Sequence, residues 1–331
     1  MAARTGQKLK LFYIIDILKN ESDEEHPLNA KEICDHLANM GISAERKAIY
    51  DDIDCLIDYK FDIIKTRTPK SGYFLASRDF EMPEIYLLSD AVRTAKFISP
   101  NKTRDLVSRL DGMLSKYDRK KRDYGIYMNM QGKTSNEEIF YNIDTVSRAI
   151  EERHKIRFRY GRRQLSGERN LVTEYKVLKV TPYAMTWQED HYYLIANNEK
   201  YDNLMHLRID RMRNVEELPE KARPMSEVSD YTDVFDVADY TAKLFGMYGG
   251  ETEKIELKCN RGIIEQIADR FGENIFIRNV TDTHFTFTAN AALSDALVTF
   301  IMNYGSNIEV LSPAVLREKI KQKAKIICNM Y

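Results

Sequence analysis

Residues 42–56 read ISAERKAIYDDIDCL, and this stretch decides how the N-terminal part folds. Helical spacing sets Ile49, Ile53, Leu56 and Ile57 on one apolar face, turns Lys47, Asp51 and Asp54 away from it, and leaves Arg46 and Tyr50 at its flanks. Ser43, just ahead of the apolar stripe, is the residue type that caps a helix. Upstream, Asn29 stands three residues before Glu32 in a capping-box spacing, and Ile33 and Leu37 make a stripe that stops before Gly41. That shorter helix is separated from the next by Met40 to Ile42 alone. Still earlier, Leu11, Ile14, Ile15 and Leu18 recur at helical spacing until the acidic break ESDEEHP. Downstream, FDIIKTRTPKSGYFLAS (61–77) reads as two short strands around the turn residues Thr68 to Gly72.

Helix, helix, tight turn, helix, hairpin is the order of a winged helix-turn-helix. A helix fits the major groove of DNA, and its first turns present side chains to base edges and phosphates. Ser43, Arg46, Lys47 and Tyr50 are the right types for this, and the hairpin adds Lys65, Arg67 and Lys70 as a basic wing. The competing reading is a three-helix module for protein contacts, favoured by 12 Lys/Arg against 14 Asp/Glu in residues 1–80. The whole chain is balanced at 50 basic and 51 acidic residues, so no global charge marks it as nucleic-acid binding. Residues 148–179, with 10 basic against 4 acidic, are the most basic stretch.

At 331 residues, with 43% hydrophobic and no low-complexity tract, the chain has room for two or three domains with real cores. Residues 84–118 read as helical, with Ser89 as a cap, a break at Pro100-Asn101 and a second run through Leu106, Leu110 and Leu114. KYDRKKRD (116–123) then loosens the chain. A helix from Glu137 to about Glu152 leads into β-runs at 155–160, 174–185, 191–197 and 204–210, which suggest a small barrel. From residue 253 the pattern is strand, helix, two strands, helix, strand, helix, the β-α-β-β-α-β order of a ferredoxin-like unit plus a last helix. The fold class is therefore α+β and multidomain. Its parts are a winged helix-turn-helix (1–80), a helical linker (81–136), a small barrel (137–225) and a C-terminal extension (226–331).

Catalytic signatures are missing. The six histidines show no HxxxH or HExxH spacing, and no GxSxG, GxGxxG or DxDxDG run occurs. Gly132-Lys133-Thr134 mimics the end of a phosphate-binding loop, but Tyr127 stands where its first glycine belongs. Cys34, Cys55, Cys259 and Cys328 have no paired spacing, so neither a disulfide framework nor a zinc knot is expected. No metal, no cofactor and no enzymatic activity is expected. No apolar run is long enough to cross a bilayer, and no signal-peptide pattern opens the chain, which places it in the cytoplasm by expectation.

ISAERKAIYDDIDCL, followed by a wing ending in SGYFL, resembles the DeoR-type winged helix of WYL-domain transcriptional regulators. Tyr192-Tyr193-Leu194 within HYYLIA, with Thr181-Pro182-Tyr183 before it and HLRIDRMRNVEEL after it, resembles the WYL domain itself. The C-terminal region is similar to the WCX extension that follows such domains. Tyr192 stands in place of the naming tryptophan, and Asp51 stands where this winged-helix class commonly carries a basic residue.

The resemblance implies an Sm-like barrel with a regulatory pocket that in some members senses nucleotides or single-stranded nucleic acid, and it implies a homodimer. Arg208, Arg211, His206, Tyr183 and Tyr193 combine guanidinium forks with aromatic faces, the combination an anionic, base-containing ligand needs. Arg208 is expected to face a wet pocket. The alternative is that Tyr193 is barrel core and that Arg211 pairs with Asp210 or Glu216. The expected function is a ligand-responsive repressor acting on a double-stranded DNA operator. A competing class is an accessory effector of an anti-phage or CRISPR system that binds nucleic acid without a promoter.

Overall fold

The computed structural model describes residues 2–122, 132–167, 170–231 and 234–331. Among the described residues the chain is mixed α and β with three separate sheets. It divides into two compact units, residues 1–137 and 138–331.

The first unit begins with α1 (Ala2–Glu21), α2 (Ala30–Asn39) and α3 (Arg46–Asp58), followed by β1 (Ile63–Thr66) and β2 (Gly72–Leu75). Asn29 and Glu32 form the capping box that their spacing predicts. Ile14, Leu18, Ile33, Leu37, Ile49 and Ile53 are all fully buried in one core, each contributing about 1.5–3 kcal/mol by leaving water. Ile57 does not join it. Eight positions past Ile49 it has rotated off the stripe and is 40% exposed. Ser43 does not cap α3 either, because the helix starts at Arg46 with Glu45 at its N-cap and no side-chain cap bond. Leu28 adds a third segment to the hairpin by exchanging two 2.8 Å backbone hydrogen bonds with Tyr73.

Three further helices follow, α4 (Met82–Thr94), α5 (Pro100–Asp111) and α6 (Lys116–Arg122). Ser89 lies fully buried inside α4 and caps nothing; Glu81 and Glu84 form the capping box there, and Ser99 caps α5. The charged run from Lys116 is helical to Arg122 instead of loosening the chain, held by ion pairs of Lys116 with Glu21 and Lys121 with Glu25; Asp123 lies outside the described residues. Lys133, the mimic of a phosphate-loop lysine, donates to the Val92 and Ala95 carbonyls and so finishes α4.

The second unit opens with α7 (Ile139–Glu151). It is followed by β3 (His154–Ser166), β4 (Asn170–Gln188), β5 (His191–Asn197), β6 (Leu204–Arg208) and β7 (Met212–Lys221). These five strands make one antiparallel sheet in the order β6-β5-β4-β3-β7. A 3-10 turn at Ile209–Arg211 carries the chain from one sheet edge to the other. β7 was not expected from the sequence, and β3 and β4 run well beyond their predicted ends as a mostly exposed hairpin. After α8 (Val237–Ala242) come β8 (Thr252–Asn260), α9 (Ile264–Phe271), β9 (Phe276–Arg278), β10 (His284–Ala292), α10 (Asp295–Asn303), β11 (Ile308–Ser312) and α11 (Ala314–Cys328). Their sheet has the order β11-β8-β10-β9, and its core is built on Leu257, Phe287, Leu297 and Ile301. Among the described residues no helix is long and apolar enough to cross a membrane.

Candidate functional site

Two surfaces carry the residues singled out by the sequence. On the first unit, the buried stripe of α3 fixes which side chains face out. Arg46, Lys47 and Tyr50 are exposed, and so is Ser43 ahead of the helix. Lys47 shares its face with Asp51 and Asp54, which dilutes the positive field there. Asp52, on the flank, is spent on an ion pair with Lys10 at 2.7 Å.

The wing and α3 meet through aromatic rings. Lys65 lies opposite Tyr73 in the strand register, and its ammonium sits 5.6 Å from the Tyr73 ring centre and 6.0 Å from that of Tyr50. Arg67 is exposed at the wing tip. Lys70 is tied down: it donates to Glu32 Oε1 at 2.6 Å, while the other oxygen of Glu32 accepts from the Asn29 amide. Partial burial would raise the Glu32 pKa, but the bonds from Lys70 and Asn29 hold it below the usual carboxylate range. Arg46, Lys47, Lys65 and Arg67 therefore remain as the cations of this surface without an ion pair among the described residues, Lys65 lying over aromatic rings.

On the second unit, strand register decides which residues share a face. Tyr193 of β5 lies directly opposite Arg208 of β6, and Ile195 opposite His206, so Tyr193, Arg208 and His206 project together. Leu194 and Leu207 point the other way into the sheet's buried side. Arg208 does not stand free in a wet pocket. It makes a bidentate fork on Asp210, whose side chain is only 6% exposed, and its backbone amide donates to the Tyr160 hydroxyl. Burial opposes the Arg208 charge, and the two bonds it donates to Asp210 outweigh it. Glu216, the other expected partner of Arg211, pairs with Arg157. Arg211 is exposed, close enough to act on the Tyr193 hydroxyl, whose pKa is raised first by burial.

His206 shares this face but is covered, and Tyr183 is engaged elsewhere. The segment 235–248 lies over this face, packing Tyr240, Leu244 and Met247 against Ile195. His206 Nε2 is 2.9 Å from the Tyr240 hydroxyl. Burial pushes the His206 pKa down to about 4, against a hydrogen bond to the Met247 backbone that works the other way. Its ring is a neutral link between the sheet and the covering segment. Tyr183 donates to the Arg223 carbonyl, and burial pushes its hydroxyl up to about 12. The structure thus brings together Tyr193, Arg208 and Arg211, with Tyr160 and Asp210 as supports, and separates Tyr183 from them. Tyr160 and Tyr240 carried no sequence signal, because only the fold brings them to residues 48 and 34 positions away. Among the described residues no group of three His, Cys, Asp or Glu side chains is placed to hold a metal.

Comparison with known proteins places a WYL domain at residues 141–217 and a WCX domain at residues 251–327. No curated protein matches the chain. Among solved structures, proteasome accessory factor B/C (PafBC) of Arthrobacter aurescens is similar over 95% of this chain at 17% identity and a TM-score of 0.27; the chain spans about half, 47%, of that protein.

Proposed function

We propose that this chain, which carries a WYL domain followed by a WCX domain, is a ligand-responsive transcriptional regulator that binds double-stranded DNA through its N-terminal unit. The observation that carries this reading is the exposed side of α3 with Arg46, Lys47 and Tyr50, set beside a hairpin whose Lys65 reaches Tyr50. Three helices and a two-stranded wing in this order favour a winged helix-turn-helix. The central sheet order, with a 3-10 turn between β6 and β7, is what an Sm-like barrel would have, and the order β11-β8-β10-β9 suits a ferredoxin-like unit.

In this reading Arg211 and Tyr193 bind an anionic, base-containing effector, a nucleotide or a single-stranded fragment, while the Arg208–Asp210 fork holds the floor beneath them. The protein acts as a repressor and as a homodimer, since one recognition helix spans too few base pairs for selectivity. The exposed apolar side chains of Phe276, Val280, Ile326 and Met330 in the C-terminal part suit contact with a second copy.

Footprinting of the full-length protein on the DNA upstream of its own gene, with and without short oligonucleotides, tests the reading. A protected palindrome whose occupancy changes with the oligonucleotide is the expected result. Nucleic-acid binding without any protected site would favour a promoter-independent effector instead.

A further inference from the structure

A cavity of about 980 Å³ in the second unit has neither Tyr193 nor Arg208 in its lining. Four stretches line it: the β4–β5 turn, the 238–248 segment, α9 and α10. Its floor is aromatic, with Phe245 and Phe300 5.0 Å apart. Arg270 lies over Phe245, its guanidinium carbon 3.9 Å from the ring centre. Two of its N–H groups are spent on the carbonyls of Ala242 and Leu244. A guanidinium has five, and no carboxylate lies within ion-pair distance of Arg270 among the described residues. Burial lowers its pKa and Glu189 acts on it only through space. Arg270 is therefore a partly buried cation with donors to spare, in a cavity of a size that holds small ligands.

The other charged lining residues are Glu189, on the β4–β5 turn, and Asp295, on the first turn of α10. One cation and two anions give the cavity a net charge of −1, counted from its lining. A polyanion such as a nucleotide would meet two carboxylates for each guanidinium. A purely apolar ligand would take water from the spare donors of Arg270 and from the carboxylates of Asp295 and Glu189 without replacing it. A metal ion would find too few ligands.

We propose that this cavity binds a zwitterionic ligand of amino-acid or short-peptide type, its carboxylate on Arg270, its ammonium on Asp295 and Glu189, and its apolar side chain on Phe245 and Phe300. The cavity wall gives the ligand a route to the rest of the domain. Residues 245–248 form a tight turn, with Gly246 and Met247 at φ 56° and 58° and the Tyr248 amide on the Phe245 carbonyl. Met247 is bonded through its backbone to His206 of the sheet, and Leu244 through its carbonyl to Arg270 of α9. An occupant thus touches the segment that joins the two domains. This inference is independent of the DNA-binding reading, and the surface of α3 plays no part in its test.

The experiment is calorimetric titration of the full-length protein with the common L-amino acids and with leucyl-leucine and leucyl-phenylalanine. The N-acetylated and C-amidated form of each binder and adenosine monophosphate serve as controls. Saturable binding by at least one zwitterion, weakened about tenfold or more by either cap, is expected. Arg270→Gln should abolish it. Because Arg270 also holds two backbone carbonyls, Asp295→Asn and Glu189→Gln provide the second measurement: each should weaken binding about tenfold with the melting temperature unchanged. Absence of binding by every zwitterion, equal binding of the capped forms, preference for the nucleotide, or unchanged affinity in both carboxylate variants would overturn the proposal.

Discussion

Arg208 closes a two-point fork on Asp210, with Nε 3.0 Å from Oδ1 and an Nη nitrogen 2.8 Å from Oδ2, next to the ring of Tyr193 on the neighbouring strand. A carboxylate as buried as Asp210 is tolerated because that fork neutralises it. Arg208→Ala should therefore cost about 3 kcal/mol in urea unfolding, because it takes the fork away from a buried carboxylate. The double variant Arg208→Leu/Asp210→Leu should recover most of that loss, since replacing both partners removes the buried charge. A single variant as stable as the parent would mean that the fork is open in solution and Arg208 is available to a ligand.

The wing lysine and the wing arginine differ in what they already hold. Lys70 is engaged by Glu32, whereas Arg67 is not engaged among the described residues. On operator DNA, Arg67→Ala should lower the slope of log affinity against log salt by about 1, and Lys70→Ala by clearly less. Lys47→Ala should cost about 1–3 kcal/mol and relax base preference. Equal losses from all three on every sequence would remove the base-reading role of α3.

His206 supplies the pH dependence. Its folded pKa of about 4 lies below the 6.5 of the free side chain, so the unfolded chain binds the extra proton. Stability from this group is complete above pH 6.5 and is lost as pH falls toward about 4. Between pH 7 and pH 5 the loss is about 2 kcal/mol. His206→Gln should flatten the urea-midpoint profile by that amount. A profile identical to the parent's would show that the ring is not buried against Tyr240.

Gly72 holds the base of the wing. A methyl group there would meet the Leu28 backbone at 2.8 Å, where Leu28 and Tyr73 exchange their hydrogen bonds. Gly72→Ala should destabilise the first unit by about 1–3 kcal/mol, because backbone cannot move aside as a side-chain tip can. Thermal unfolding checks this, and DNA affinity should fall with it.

Hydrophobic spacing and cap chemistry already made α2 with its Asn29–Glu32 box and the stripe of α3 legible, along with the turn between β1 and β2 and the strand and helix order of the C-terminal part. Those are local properties, set within a few residues by side-chain period and backbone hydrogen bonding. The first residue of α3 was not legible, since Ser43 is a good cap that the chain bypasses once Ala44 and Ile42 pack against the core. Nor were the partners of the candidate site residues. Composition put arginines, carboxylates and tyrosines in the right segments, but whether Arg208 takes Asp210 or a ligand, and whether His206 meets solvent or Tyr240, depends on strand register and on a segment 30 or so residues away folding over the sheet. Pairing is decided by distance and burial in three dimensions, and neither is encoded in spacing along the chain. The cavity around Arg270 exists for the same reason: its walls come from four separate stretches that only tertiary packing brings together.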